Sequence, residues 1–215
     1  MKLLTGPLSM FGTKARIAVA EKNAPCKIEY VPFSLKTRYH PLHPDVARLN
    51  PKGQVPVLLD GQVEIFDSTQ IFEYLEDKFP EPPLWPRSIE ARAMARLMEL
   101  KADEIYFPNV IVLINAAADV SRPECKEALK KMAAYYRDMD ARLAGQEFIA
   151  ERYSYADIAF FTASYFASFL GGAPDPALSH LAAWRKRIAA RPAVAPIVKE
   201  VADYLAANRL PVPEI

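Results

Sequence analysis

Asn50-Pro51-Lys52-Gly53-Gln54-Val55-Pro56-Val57-Leu58-Leu59-Asp60-Gly61, with Ile65-Phe66-Asp67-Ser68 just after it, is the stretch that decides the fold. It reads as a Val-Pro step entering a strand, a tight turn, a second strand, and a helix that opens on Asp-Ser. Proline cannot donate to a sheet ladder, so Pro56 belongs at the start of its strand. A proline at such a corner is a candidate cis bond. That geometry turns the backbone N–H and C=O of Val55 outward, where a peptide-like ligand can pair with them. The helix start at Asp67-Ser68 offers unpaired N–H groups and a positive dipole end to an anion. Together these features predict a site for a small acidic peptide.

Around this stretch, residues 1–80 alternate strand and helix signals. Lys2 to Thr5 is a short strand stopped by Gly6-Pro7, and residues 12–23 carry Ala15, Ala18 and Val19 at helical spacing. Ile28 to Pro32 reads as a strand whose parallel pairing with the first needs the intervening helix as a crossover. Pro41 and Pro44 leave only a short helical piece around Val46-Leu49. Val57-Leu59 and Val63-Phe66 flank Asp60-Gly61, a strong hairpin signal. Ser68 to Phe79 then repeats apolar residues at Ile71, Phe72 and Leu75.

Pro80, Pro82, Pro83 and Pro86 make a semi-rigid linker. Beyond it every signal is helical. Residues 89–118 place Ala91, Ala95, Met98, Ala102 and Ile105 on one face, with a kink expected at Pro108. Ser121-x-x-Glu124 and Ser154-x-x-Asp157 read as capping boxes. The helix from Ile158 to Leu170 is apolar nearly all round and is expected at the centre of the second domain. Two further helices are separated at Pro192. The expected domains are residues 1–80 and 88–215.

The chain has 215 residues, 51% hydrophobic and 25% charged, with a formal net charge of +1. That balance predicts neither nucleic-acid nor membrane binding. Cys26 and Cys125 stand far apart with no metal-ligand spacing, which suits a reducing compartment. No apolar run approaches a membrane span. The expectation is a cytoplasmic protein without a metal site.

The order of elements, the Asn-Pro-Lys-Gly-Gln-Val-Pro run, Asp67-Ser68, Ser154-x-x-Asp157 and Arg191-Pro192-Ala193-Val194 together resemble the cytosolic glutathione transferase superfamily. The resemblance covers essentially the whole chain. It implies an α/β thioredoxin-like N-terminal domain that binds glutathione, followed by an all-α C-terminal domain that contributes a pocket for an electrophilic substrate. It implies that Val55 pairs through its backbone with the cysteinyl unit, with Pro56 holding the corner. Gln54, Asp67 and Ser68 would hold the γ-glutamyl end, and Lys52 would reach a carboxylate. Capping alone also accounts for Asp67-Ser68. A homodimer is implied as well, with Asp103 where some relatives send an acid across it. A rival reading keeps the fold for binding or regulation without the chemistry.

Members of the superfamily place Tyr, Ser or Cys after the first strand to manage the glutathione sulfur. Here no tyrosine precedes Tyr30 and no cysteine precedes Cys26. Leu8-Ser9-Met10-Phe11-Gly12-Thr13-Lys14-Ala15-Arg16 resembles the Ser-Pro-Phe-x-x-Lys-x-Arg pattern of Ser-type members, with Met10 in place of proline. Ser9 is the candidate catalytic residue, and Thr5 and Thr13 are the alternative hydroxyls. Lowering a thiol pKa from ~8.5 to ~6.5 takes about 2.7 kcal/mol. One hydroxyl donating to the thiolate supplies ~1.5–3 kcal/mol of that. Phe11, Phe107 and Val110 are candidates for lining the substrate pocket.

Overall fold

The strands and helices follow the local signals closely. The structure, a computed structural model, describes residues 1–215. It divides into two compact units, Met1–Pro83 and Leu84–Ile215.

In the first unit the order is β1 (Lys2–Thr5), α1 (Met10–Glu21), β2 (Lys27–Tyr30), α2 (Pro44–Leu49), β3 (Val57–Asp60), β4 (Val63–Phe66) and α3 (Ser68–Lys78). The sheet order is β2-β1-β3-β4. β1 and β2 are parallel, joined through α1, while β3 runs antiparallel to both β1 and β4. Alternation along the strands buries both faces. Leu4 and Val57 join Val31, Val46 and Val55 in one cluster. Leu3 and Leu58, also fully buried, point to the other face, where α1 and α3 pack together. At the foot of α1 the buried ammonium of Lys22 is paired with Glu76 of α3 and donates to the Pro82 carbonyl at 2.8 Å.

The second unit is all helix: α4 (Ile89–Lys101), a π-helical segment (Ala102–Tyr106), α5 (Phe107–Asn115), α6 (Pro123–Leu143), α7 (Tyr155–Ser168), α8 (Ser179–Ala189) and α9 (Ala195–Ala207). The break expected at Pro108 occurs before it, as the wider π turn. This shifts the buried face, so Met98, Ala102, Tyr106 and Val110 point inward while Ile105 is 56% exposed. Ser121 does not cap α6. The helix starts one residue later, with Arg122 at the cap and Pro123 in the first turn, where its missing N–H costs nothing. Ser121 instead binds the Asp119 carboxylate.

α7 is buried at every position from Tyr155 to Ala167. Its capping box forms around Asp157, which is wholly buried. The Asp157 carboxylate accepts from Ile149 N–H at 3.0 Å, Ser154 N–H at 2.9 Å, the Ser154 hydroxyl at 3.2 Å and Trp184 Nε1 at 2.8 Å. Burial outweighs these four donors and pushes its pKa up to about 6. Phe160 of α7 stacks on Trp184 of α8, with ring centroids 5.5 Å apart.

Candidate functional site

Strand register gathers the candidate residues at one end of the sheet. Leu4 pairs with Val57, and Val57 with Phe66. One step further along come Thr5, Pro56 and Asp67. Helices α1 and α3 both begin at this same end. Each helix N-terminus presents unpaired N–H groups and about half a positive charge.

Ser9 is the N-cap of α1, in extended backbone with φ −118° and ψ 113°. Its Oγ accepts from the Gly12 N–H at 3.0 Å, and the residue is 9% exposed. The cap uses an oxygen lone pair, so the hydroxyl proton stays available for an acceptor outside the protein. Glycine at position 12 makes this turn possible. A Cβ there would lie 2.1 Å from Thr5 Oγ1 and 2.9 Å from Ser9 Oγ. The hydroxyls of Thr5 and Thr13 are buried without a hydrogen-bond partner. The turn therefore holds three hydroxyls, of which only that of Ser9 is engaged. Lys14, fully buried, donates to Thr69 Oγ1 of α3 at 3.2 Å, and Arg16 lies 5.2 Å from the centre of the Tyr30 ring.

The Val55–Pro56 peptide is cis. Neither the N–H nor the C=O of Val55 is hydrogen-bonded within the protein. The loop before it is braced by Asn50, whose part sequence reading missed. Its side-chain amide donates to Gln54 O at 2.7 Å, and its oxygen accepts from Lys52 N–H at 3.0 Å. An asparagine opening a Pro-x-Gly turn was the available signal. Gly53 has φ +61°, and a Cβ there would meet Leu42 Cδ1 at 2.9 Å. The side chains of Lys52 and Gln54 are exposed at this loop.

Asp67 is the N-cap of α3. Its Oδ1 accepts from Thr69 N–H at 3.0 Å and Gln70 N–H at 3.2 Å. Its φ of +76° lies in the half of backbone space that disfavours side chains, at a cost of ~1–3 kcal/mol. Ser68, the first residue of α3, is 2% exposed. Phe11 is half-buried in the first turn of α1. In the helical unit Phe107 and Val110 sit on the buried face of α5, and Asp103 lies half-buried in the π segment. Burial raises the Cys26 thiol pKa, and Cys125 is fully buried.

Similarity to known proteins agrees with this arrangement. Residues 3–83 match the family described as glutathione S-transferase, N-terminal domain, and residues 98–192 match glutathione S-transferase, C-terminal domain. The chain is 33% identical over 113 residues to a stringent starvation protein A homolog of Coxiella burnetii, covering 53% of this chain and 51% of that protein. It is 40% identical over 94 residues to glutathione S-transferase Z1 of Arabidopsis thaliana, covering 44% of this chain and 41% of the relative. Against these two curated relatives the match spans about half of their length or less. A solved glutathione S-transferase domain-containing protein of Marinobacter aquaeolei superposes with a TM-score of 0.77 at 27% identity, over 90% of this chain and all of that one.

Proposed function

Because the chain belongs to the glutathione transferase superfamily, we propose that it is a glutathione transferase of the Ser type. In this reading the Ser9 hydroxyl donates a hydrogen bond to the sulfur of bound glutathione and stabilises it as a thiolate. Glutathione supplies the nucleophilic sulfur, which bonds to an electrophilic carbon as the leaving group departs or, in isomerisation, leaves again. The observation that carries the proposal is the Gly12 N–H bond to Ser9 Oγ. It fixes the rotamer, polarises the hydroxyl and leaves the proton free to donate.

Val55 pairs through its unoccupied backbone groups with the cysteinyl unit, held at that corner by Pro56. Gln54, Asp67 and Ser68 take the γ-glutamyl end, and Lys52 approaches a carboxylate. Helix N-termini at α1 and α3 favour the anionic ends of the tripeptide. Our candidates for contact with the electrophile are Phe11 in the first unit and Phe107 and Val110 in the second. The working form is a homodimer.

The test is a pH titration of thiolate ultraviolet absorbance for glutathione bound to wild type and to Ser9→Ala. A thiol pKa well below its free value, returning by one to two units in the variant at about 1.4 kcal/mol each, is the expected result. An unshifted pKa with tight binding would instead favour a carrier or regulator without the chemistry. The similarity to stringent starvation protein A homologues is the observation on the side of that second reading.

A further inference from the structure

A cavity of about 280 Å³ lies between the middle of α6 and the connection from α7 to α8. Both of its walls are pinned. Tyr136 of α6 donates from its hydroxyl to the Gly172 carbonyl at 2.7 Å, and a Cβ at Gly172 would lie 2.5 Å from Met132 Cε. Asp140, one turn further along α6, accepts from the Leu181 N–H of α8 at 2.9 Å. Between these two ties the connection carries Pro174 and Pro176, each with a fixed φ. The floor is apolar, formed by Leu129 and Met132 of α6 and Leu178 of the connection.

Two opposite charges line the same cavity, Arg137 of α6 and Asp175 of the connection. They do not pair with each other, and neither makes an ion pair elsewhere. The Arg137 guanidinium donates no hydrogen bond, and Asp175 spends one oxygen on the Ala177 N–H at 2.9 Å. A ligand that carried only a carboxylate would set its charge against Asp175, and one that carried only an amine would set its charge against Arg137. The lining therefore asks for both charges on one molecule, next to an apolar body. The volume is near the lower end for small-molecule sites, ~300–1,000 Å³, which suits a ligand of amino-acid size rather than a peptide or a nucleotide.

We propose that this cavity binds a free apolar α-amino acid of about the size of leucine, as its zwitterion. The Arg137 guanidinium takes the α-carboxylate, whose two oxygens its planar fork matches. The Asp175 carboxylate takes the α-ammonium through the oxygen that Ala177 does not engage. The alkyl side chain leaves water to lie on Leu129, Met132 and Leu178. Arg137 and Asp175 are exposed while Met132 is buried, so the charged head faces the mouth and the side chain faces inward. The site belongs wholly to the helical unit, and the proposal does not depend on how Ser9 acts.

The experiment is titration calorimetry on the whole protein with leucine, in wild type, Arg137→Gln and Asp175→Asn. Glycine, leucinamide and 4-methylpentanoate serve as ligands that lack the side chain, the carboxylate and the ammonium in turn. Both substituted positions are exposed, so the fold is not at stake, and Asp175→Asn keeps an acceptor for the Ala177 N–H. The expected result is saturable binding of leucine to wild type, weaker by about tenfold or more in each variant, as the loss of a charge-assisted hydrogen bond requires. Each truncated ligand is expected to bind wild type more weakly than leucine by a similar factor. No leucine binding to wild type, or an affinity unchanged in either variant, would overturn the site. Leucinamide or 4-methylpentanoate binding as tightly as leucine would overturn the zwitterion assignment, and glycine doing so would overturn the apolar contact.

Discussion

At Thr5 a hydroxyl is buried at the end of β1 without a partner. A group left so forfeits its water hydrogen bonds and recovers nothing. Replacing it by valine, which has the same shape, removes that penalty. Thr5→Val is therefore expected to raise the stability of the ligand-free protein by about 1 kcal/mol, read as a midpoint shift of ~2–4 °C. A loss of stability would mean that the hydroxyl is satisfied in solution. Ser9 differs from Thr5 in one respect that matters for function: its oxygen is held by the Gly12 N–H while its proton is not spent.

Helices α1 and α3 are tied by the Lys22–Glu76 pair as well as by apolar packing. The Lys22 side chain is fully buried and that of Glu76 is 13% exposed. Lys22→Met takes the lysine cation away from a largely buried carboxylate, with an expected loss of about 3 kcal/mol in urea unfolding. The double variant Lys22→Met/Glu76→Leu is expected to recover most of it, since two packed apolar groups replace two charges. No recovery would show that the lysine acts mainly through its bond to Pro82.

At α7 the buried carboxylate of Asp157 has a pKa raised to about 6 from 3.8. The folded state thus holds a proton that the unfolded chain gives up between these values. The contribution is present below pH 4 and is lost as pH rises to about 6, an amount of about 3 kcal/mol. Other carboxylates, such as Asp60 and Glu64, are shifted downward and oppose this trend. The difference between wild type and Asp157→Asn isolates it: that stability gap should narrow from pH 4 to pH 6. A constant gap would show that the four donors keep Asp157 ionised.

Across the whole molecule, α4 leaves Met94, Leu97 and Leu100 at least 41% exposed, and Ile105 follows in the π segment. Under the proposed homodimer this apolar run is covered by a second copy. Leu97→Glu is expected to shift sedimentation from dimer to monomer at micromolar concentration while leaving the circular dichroism unchanged. A monomeric wild type would remove the dimer from the proposal.

Local chemistry made much of this protein legible in its sequence. Apolar periodicity, Asp60-Gly61, the proline linker and Ser154-x-x-Asp157 act over a few residues, and the elements they predict are present. The Ser9 turn and the Val55–Pro56 corner were readable for the same reason. What only tertiary packing decided lies where distant segments meet. The π turn before Pro108 moved Ile105 outward and Tyr106 inward, a shift that a fixed helical period cannot anticipate. Gly12 is required because Thr5, from another element, fills the space beside it. Arg185, in the charged run Arg185-Lys186-Arg187, has the sequence pattern of a solvated helix face. The packing of α8 against α6 and α7 buries it, because burial depends on the neighbours a fold brings together and not on a residue's own polarity.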